Sequence, residues 1–371
     1  MNQPARGDIV VVKVGSSSIT DPDGSLSADA LVSLTDQLAA VRSAGARPVL
    51  VTSGAIATGR GVAPSKNGAE DLADLQALAA IGQGILMSMY ANLLSARKVQ
   101  AAQVLLTAQD IGDRSSYLNT RSTIHRLLDW GVIPIINEND TTATDEITLG
   151  DNDRLSALVA SLIGASVLII LTDTAGVFSG DPRLNGRATL IEDVKQIDVE
   201  LEQVAGGPGD VGTGGMATKI AAAKIASWSG IRCTVADARE PDVISRAWRG
   251  EVVGTRIHAR TPALPARKVW IAFARPPSGS LVVDDGAARA LTTTGASLLS
   301  VGIVRLVGQF SSGEVVDIVQ GQSRLLAKGI VRTSSEELAR AIDGRASLER
   351  DAGNTPLRLV AVHRDDMVVT D

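Results

Sequence analysis

The sequence predicts a doubly wound α/β domain, its mainly parallel sheet sandwiched by helices, followed by a small mostly β domain. Three observations carry this. Up to about residue 250, short runs rich in Val and Ile alternate with Ala- and Leu-rich stretches of helical length. The Val/Ile runs lack polar alternation, as strands covered on both faces do, which favours a parallel sheet with helices on each side. The pattern then changes, through the polar, proline-bearing segment GTRIHARTPALPAR at 254–267, to short strands with frequent glycine.

Taken in order, strands are expected over Ile9–Val14, Pro48–Thr52, Val99–Leu105, Val132–Ile136, Val167–Leu171 and Ile231–Val235. Helices are expected over Ala28–Ser43, Leu72–Ser95, Ser115–Asp129, Arg154–Ile163 and Met216–Ser229. The second domain should hold strands at Val269–Phe273, Ser280–Val283, Ile303–Val307, Glu314–Val319 and Ile330–Arg332, with one helix at Ser334–Ile342. The division reads 1–255 for the α/β domain, 256–267 for a linker and 268–371 for the β domain. Two domains suit 371 residues at roughly 150 each.

Composition narrows the function. Nine aromatic rings leave the cores to small branched residues, which suits helices packed closely on parallel strands. A single cysteine, Cys233, excludes an internal disulfide and a cysteine zinc cluster, and His125, His258 and His363 are too scattered for a His-x-x-x-His metal site. No signal-peptide pattern precedes the first strand, and Val167–Leu171, taken as the longest apolar run, is far below a membrane span. A reduced, cytoplasmic protein with no membrane partner is expected. The net charge of −5 offers no general attraction for nucleic acid. From Lys268 onward basic and acidic residues balance at 12 each, so the net charge belongs to the first domain.

Ligands of open α/β sheets bind beyond the carboxyl ends of the strands, and here those ends are informative. The first strand runs into Lys13-Val14-Gly15-Ser16-Ser17-Ser18, a fixed positive charge followed by a turn of free N–H groups that suits an anion, or only a turn. It is no P-loop, because GxxxxGK[ST] is absent. The second ends in Thr52-Ser53-Gly54-Ala55-Ile56-Ala57-Thr58-Gly59, where Ser53 either donates to a carboxylate or caps a helix. After the fourth come Asn137-Glu138-Asn139-Asp140 and then Gly150-Asp151-Asn152-Asp153, a density of acids and amides that calls for cations. Mg²⁺, a substrate ammonium or nearby lysines could supply them. Asp151, Asn152 or Asp153 could also simply cap the next helix. The fifth ends in Thr172-Asp173-Thr174-Ala175-Gly176-Val177-Phe178, then Asp181-Pro182-Arg183, suited to a nucleotide base and ribose or to plain turns. Finally, Gly212-Thr213-Gly214-Gly215-Met216-Ala217-Thr218-Lys219 opens a helix with glycines and a first-turn lysine, a pattern for polyphosphate. Two lysines and a carboxylate cluster at one sheet edge suggest phosphoryl transfer. A Ser-His-Asp arrangement is not in view, since His125 falls within a helix, and GxGxxG is absent after the first strand.

Together KVGSSS, TSGAIATG, INENDTTATDEITLGDND, LTDTAGVFSGDPR and GTGGMATK resemble the amino acid kinase family over nearly the whole α/β domain. The tail resembles a PUA domain at Val282–Ala287, Gly302-Ile303, Phe310–Val315 and Ala361–Met367. The resemblance implies ATP-dependent phosphorylation of the γ-carboxylate of L-glutamate to γ-glutamyl phosphate, the first step of proline biosynthesis, with Mg²⁺ carried by the ATP phosphates and no metal ligand from the protein. It implies that Lys13 stabilises the transferring phosphoryl group and Lys219 holds the ATP phosphates from the opposite side, while Asp153 orients both. Ser53, Asn137, Asp140 and Asn152 would bind glutamate, Asp140 meeting the α-ammonium and Asp151 assisting. Lys13, Gly15, Ser16, Thr172, Asp173, Thr213, Gly214, Gly215, Met216, Ala217, Thr218 and Lys219 would bind ATP. It also implies proline as a feedback inhibitor, a homo-oligomer (dimer or tetramer), and handover of the labile product to glutamyl phosphate reductase. Phe178-Ser179-Gly180 departs from the Tyr-Thr-Ala common in relatives and removes a tyrosine hydroxyl from the nucleotide loop. The alternatives are family activities on aspartate or acetylglutamate, and RNA binding through the PUA domain. The neutral tail, with Trp270, Phe273 and Phe310 its few rings, argues against RNA.

Overall fold

The computed structural model describes residues 5–21, 24–63, 71–142, 151–182, 184, 186–206, 215–321, 324–348 and 359–370. The chain divides into two compact units, Met1–Leu264 and Pro265–Asp371.

The first unit opens with β1 (Ile9–Val14), α1 (Ala28–Ser43), β2 (Arg47–Val51), α2 (Ala55–Arg60), α3 (Leu72–Ala96) and β3 (Ala101–Leu106). There follow α4 (Ala108–Gly112), α5 (Arg114–Asp129), β4 (Ile133–Glu138), α6 (Asp151–Ile163), β5 (Val167–Thr172), β6 (Asp193–Val194) and α7 (Val199–Val204). It closes with α8 (Met216–Trp228), β7 (Arg232–Asp237), α9 (Val243–Arg249) and β8 (Thr255–Ile257). The eight strands run in the order β3-β4-β2-β1-β5-β7-β8-β6, all neighbours parallel except β7 with β8. β1 and β5 are buried at every residue, which is why their sequences are almost purely apolar. From this central pair the connections leave in opposite directions, toward β2 on one side and β7 on the other, and such a switch opens a crevice at the carboxyl ends.

Strand alternation decides which side chain faces which helix layer. Val10, Val12 and Val14 join a core with Leu31, Leu34 and Leu38 of α1, Leu86, Tyr90 and Leu94 of α3, and Val243 and Ile244 of α9. Lys13, between two of those valines, therefore points to the opposite layer, where α6 and α8 pack together.

Two glycines set how closely α2 and α3 cross. A Cβ on Gly82 would lie 1.8 Å from the Ala55 carbonyl oxygen, and one on Gly59 would lie 2.0 Å from that of Leu78. Tyr90, fully buried, ties α3 to the end of β2 through Thr52, 2.9 Å away. By length and composition α3 could cross a membrane, so it and not Val167–Leu171 is the chain's most extended apolar segment among the described residues. Its apolar residues include core members packed within this unit.

Three expectations need correction. Residues 256–257, placed at the start of the linker, belong to strand β8, which lies between β7 and β6 and is anchored by Thr255, whose hydroxyl accepts from the Val177 N–H at 2.8 Å. Val269–Phe273 is not a strand but belongs to α10 (Ala266–Phe273). Val, Trp, Ile and Phe favour strands, but Pro265 at the N-cap presets a helical start and the residues bury as a helix. The remainder of the second unit is β9 (Ser280–Val283), α11 (Asp285–Thr294), β10 (Leu298–Leu299), β11 (Ile303–Val307), β12 (Val315–Gln320), β13 (Arg324–Val331), α12 (Ser335–Leu348) and β14 (Val360–Val369). Thus Ile330–Arg332 catches only the end of an eight-residue strand, and α11 and β14 were not expected. Its six-stranded sheet, β10-β14-β13-β12-β9-β11, is antiparallel except where β12 meets β9. Buried Asp366 of β14 holds Arg267 and Arg332 together.

The helix crossing yields a prediction. Gly82→Ala must force α2 and α3 apart and is expected to lower unfolding free energy by about 1–3 kcal/mol in urea titration. Gly84→Ala, on the same helix with open space around it, should instead stabilise by roughly 0.5–1 kcal/mol.

Candidate active site

At the carboxyl end of β1 the Lys13 ammonium meets Asp153 Oδ1 at 2.6 Å. On the other side of the same carboxylate, Lys219 Nζ stands 3.3 Å from Oδ2. All three are buried, Asp153 completely. Asp153 lies on the first turn of α6, where Ser156 Oγ donates to its carbonyl at 2.6 Å. Lys219 and Thr218 come from the first turns of α8, and the Thr218 hydroxyl donates to Asp153 Oδ2 at 2.7 Å. One carboxylate thus fixes a strand end and two helix starts.

Burial opposes ionisation of Asp153, but Lys13, Lys219 and the Lys13 and Thr218 hydrogen bonds outweigh it and hold the carboxyl below its usual range. Burial likewise pushes Lys13 below the ordinary lysine value, against the pull of Asp153 and with the repulsion of Lys219. Two ammonium groups thus share one buried carboxylate, a place where an added anion is favoured.

α8 begins after Gly215, so its first N–H groups have no intrahelical partner and, with the helix dipole, favour negative charge beside Lys219. Gly15 follows β1 so closely that a Cβ there would sit 3.4 Å from Lys13 Nζ, and Ser16 opens a single 3₁₀ turn. Across the crevice, Thr172 and exposed Asp173 leave β5, their side chains 3.1 Å apart. The Asp173 carbonyl accepts from Arg239 at 2.9 Å. Phe178 bridges to Leu190 as an antiparallel pair, so this loop is shaped by backbone and apolar contact without a tyrosine hydroxyl.

A second cluster occupies the ends of β2 and β4. Asn152 Nδ2 lies 3.1 Å from both Ser53 Oγ and Asn137 Oδ1. Asn137 Nδ2 donates in turn to Gln83 Oε1 of α3 at 2.8 Å. Asp140 is half-buried two residues beyond β4. Gly54, at φ +100°, turns the chain from Ser53 into α2, a conformation that favours glycine.

The structure therefore brings together Lys13, Asp153, Lys219 and Thr218 on one side, and Ser53, Asn137 and Asn152 on the other, joined by the Asn152-Asp153 step. Asp151 opens α6, but its side chain lies outside the described residues, as do Thr213 and Gly214 altogether. Met216 and Ala217 are half-buried on the first turn of α8. Gln83 was missed. Its sequence signal is weak, one of three amides, with Gln76 and Asn92, in an Ala/Leu helix.

Among the described residues no three His, Cys, Asp or Glu side chains are placed to hold a metal ion. Asp153, the buried carboxylate here, already has two lysines as partners. Among the described residues, then, the buried carboxylate of this site is held by lysines and stands in no cluster of metal ligands.

The pairing has a measurable acid signature. Because its folded value lies below the ordinary 3.8, Asp153 contributes stability in full above that pH and loses it as pH falls through the folded value. Urea unfolding of wild type should show this acid loss. Asp153→Asn should lack that branch and lie about 3–5 kcal/mol lower at pH 7, with two lysines left uncompensated.

Comparison with known proteins follows this geometry. The amino acid kinase family profile matches residues 8–237, and the PUA domain profile matches residues 279–350. The chain is 44% identical over 365 residues to the glutamate 5-kinase of Nitrosospira multiformis, covering 97% of each chain. It is 44% identical to that of Caldanaerobacter subterraneus subsp. tengcongensis, at 98% coverage of each, and 46% identical over 332 residues to that of Herminiimonas arsenicoxydans, at 89% of each. Among solved structures it is similar to carbamate kinase from Giardia lamblia bound to AMP-PNP, with TM-score 0.49, 16% identity, and coverage of 68% of this chain and 98% of that one. UMP kinase from Bacillus anthracis gives TM-score 0.48, 17% identity, and coverage of 68% and 97%.

Proposed function

The chain belongs to the amino acid kinase family, and from that premise we propose that it transfers the γ-phosphoryl group of ATP to the γ-carboxylate of L-glutamate, forming γ-glutamyl phosphate for proline biosynthesis. The observation that carries this reading is the buried Lys13–Asp153–Lys219 bridge at the crevice. Near-full-length identity to glutamate 5-kinases supports glutamate over aspartate or acetylglutamate as acceptor.

A glutamate carboxylate oxygen forms the new bond to the γ-phosphorus while the bond to the bridging oxygen breaks, and the electron pair leaves with ADP. A carboxylate is ionised at neutral pH, so no general base is needed. The difficulty is bringing two anions together and stabilising the charge on the moving group. Lys13 and Lys219 offset that charge from opposite sides, and Asp153 keeps both aimed. The N–H groups opening α8, with Gly215, Met216, Ala217 and Thr218, hold the ATP phosphates, and Gly15 and Ser16 line the transfer path. Thr172 and Asp173 contact the nucleoside. Ser53, Asn137 and Asn152 hold glutamate, and Asp140 meets its α-ammonium, with Asp151 assisting. Mg²⁺ would enter with ATP and neutralise phosphate charge.

The reading extends to cytoplasmic action, a dimer or tetramer, inhibition by proline, which shares the substrate's α-amino acid group, and consumption of the labile acyl phosphate by a reductase. The PUA domain match lies in the second compact unit, Pro265–Asp371.

An ATP-consumption assay with glutamate, acetylglutamate and aspartate, with and without proline, tests the reading. Turnover should require glutamate and fall with proline; no turnover with free glutamate would sink it. Lys13→Ala and Lys219→Ala should each lower kcat by about 100-fold or more while circular dichroism stays native. Asp140→Ala should raise the glutamate KM by about tenfold and leave the ATP KM within twofold. Equal losses for both substrates would contradict the role of Asp140.

A further inference from the structure

We propose that Gln83 is a positioning residue that holds the far end of an amide relay, Gln83–Asn137–Asn152, whose direction the Glu138 N–H sets, so that Asn152 turns its carbonyl oxygen to the substrate's ammonium. The inference rests on the glutamate-kinase reading above and adds a residue that lies outside every sequence motif of the site.

A carboxamide has one donor end and one acceptor end, and a neighbour able to play only one part decides which faces where. At Asn137 that neighbour is the Glu138 backbone N–H, which donates to Oδ1 at 3.0 Å. Nδ2 of Asn137 must then face Gln83, which presents Oε1 at 2.8 Å. Asn137 Oδ1 also accepts from Asn152, so Asn152 must present Nδ2 there, at 3.1 Å. The same Nδ2 reaches Ser53 Oγ at 3.1 Å. Both protons of Asn152 thus have protein acceptors, and Ser53, having accepted, keeps its own proton for a carboxylate.

The consequence falls on the other end of Asn152. Its Oδ1 is buried and has no hydrogen-bond partner among the described residues. A buried acceptor left without a donor is costly, and a ligand N–H in that position removes the cost. Glutamate carries N–H only on its α-ammonium, whose three protons can serve Asn152 Oδ1 and Asp140 together.

Gln83 holds the far end of the relay. Asn137 is almost fully buried, so water cannot replace a lost acceptor for its Nδ2. Gln83 reaches it because Gly82, the preceding residue, lets α3 lie directly on the Ala55 carbonyl. The position requires an acceptor, not an amide as such.

The test compares Gln83→Leu, which removes the acceptor, with Gln83→Glu, which keeps one. Gln83→Leu should raise the glutamate KM about tenfold, with the ATP KM within twofold and a native circular dichroism spectrum. Gln83→Glu should stay within about threefold of wild type. Glutarate, which lacks the ammonium, should inhibit wild type and Gln83→Leu with Ki values within twofold of each other. If Gln83→Leu is unstable, Gln83→Ala carries the same expectations. The inference is overturned if the acceptor-less variant keeps a glutamate KM within twofold of wild type, if Gln83→Glu is equally impaired, or if glutarate weakens in parallel. A wild type that cannot turn over glutamate overturns the functional reading, and this inference with it.

Discussion

The buried contact of one carboxylate with two ammonium groups is the constraint around which the first unit is arranged. Desolvating three charges is expensive. On the proposed function an incoming polyphosphate meets these two lysines, and the N–H groups opening α8 add to the attraction. This resolves the oddity of a negatively charged chain that binds two anions. Local lysines and helix geometry matter, and the net charge of −5 does not.

Several independent features of the fold converge on that contact. Alternation along β1 buries Val12 and Val14 in one layer and sends Lys13 to the other. Close packing of α6 on α8 brings Asp153 and Lys219 within reach of it. The switch in strand order at β1 and β5 leaves the crevice into which these groups face. Asn152, the residue before Asp153, links the charged half of the site to the amide half, so one turn of α6 contributes to both. The amide half depends in turn on the glycines that let α3 settle on α2.

The readable parts of the sequence were those where chemistry sits at a strand end. Lys13 interrupts an apolar run, and Asp153 and Lys219 lie in segments too polar or too glycine-rich to be core, so local pattern alone marked them. Gln83 carries no such mark, because its role comes from a helix crossing between residues far apart in sequence. The same limit explains Val269–Phe273, where side chains with strand preference follow a proline that starts a helix. It also explains Thr255–Ile257, a polar-looking stretch that joins the sheet between β7 and β6, anchored by a buried threonine hydroxyl. Local propensity reads elements and their ends. Tertiary contact decides the exceptions.

The central claim is that Asp153 acts by holding the two lysines and has no separate chemical task. A double-mutant cycle on kcat/KM with Lys13→Ala and Asp153→Asn tests it most directly. If the carboxylate works through the lysines, much of its effect disappears once Lys13 is gone. The double variant should then lie within about fivefold of the worse single variant. Losses that multiply across the two substitutions would show independent roles and contradict the account.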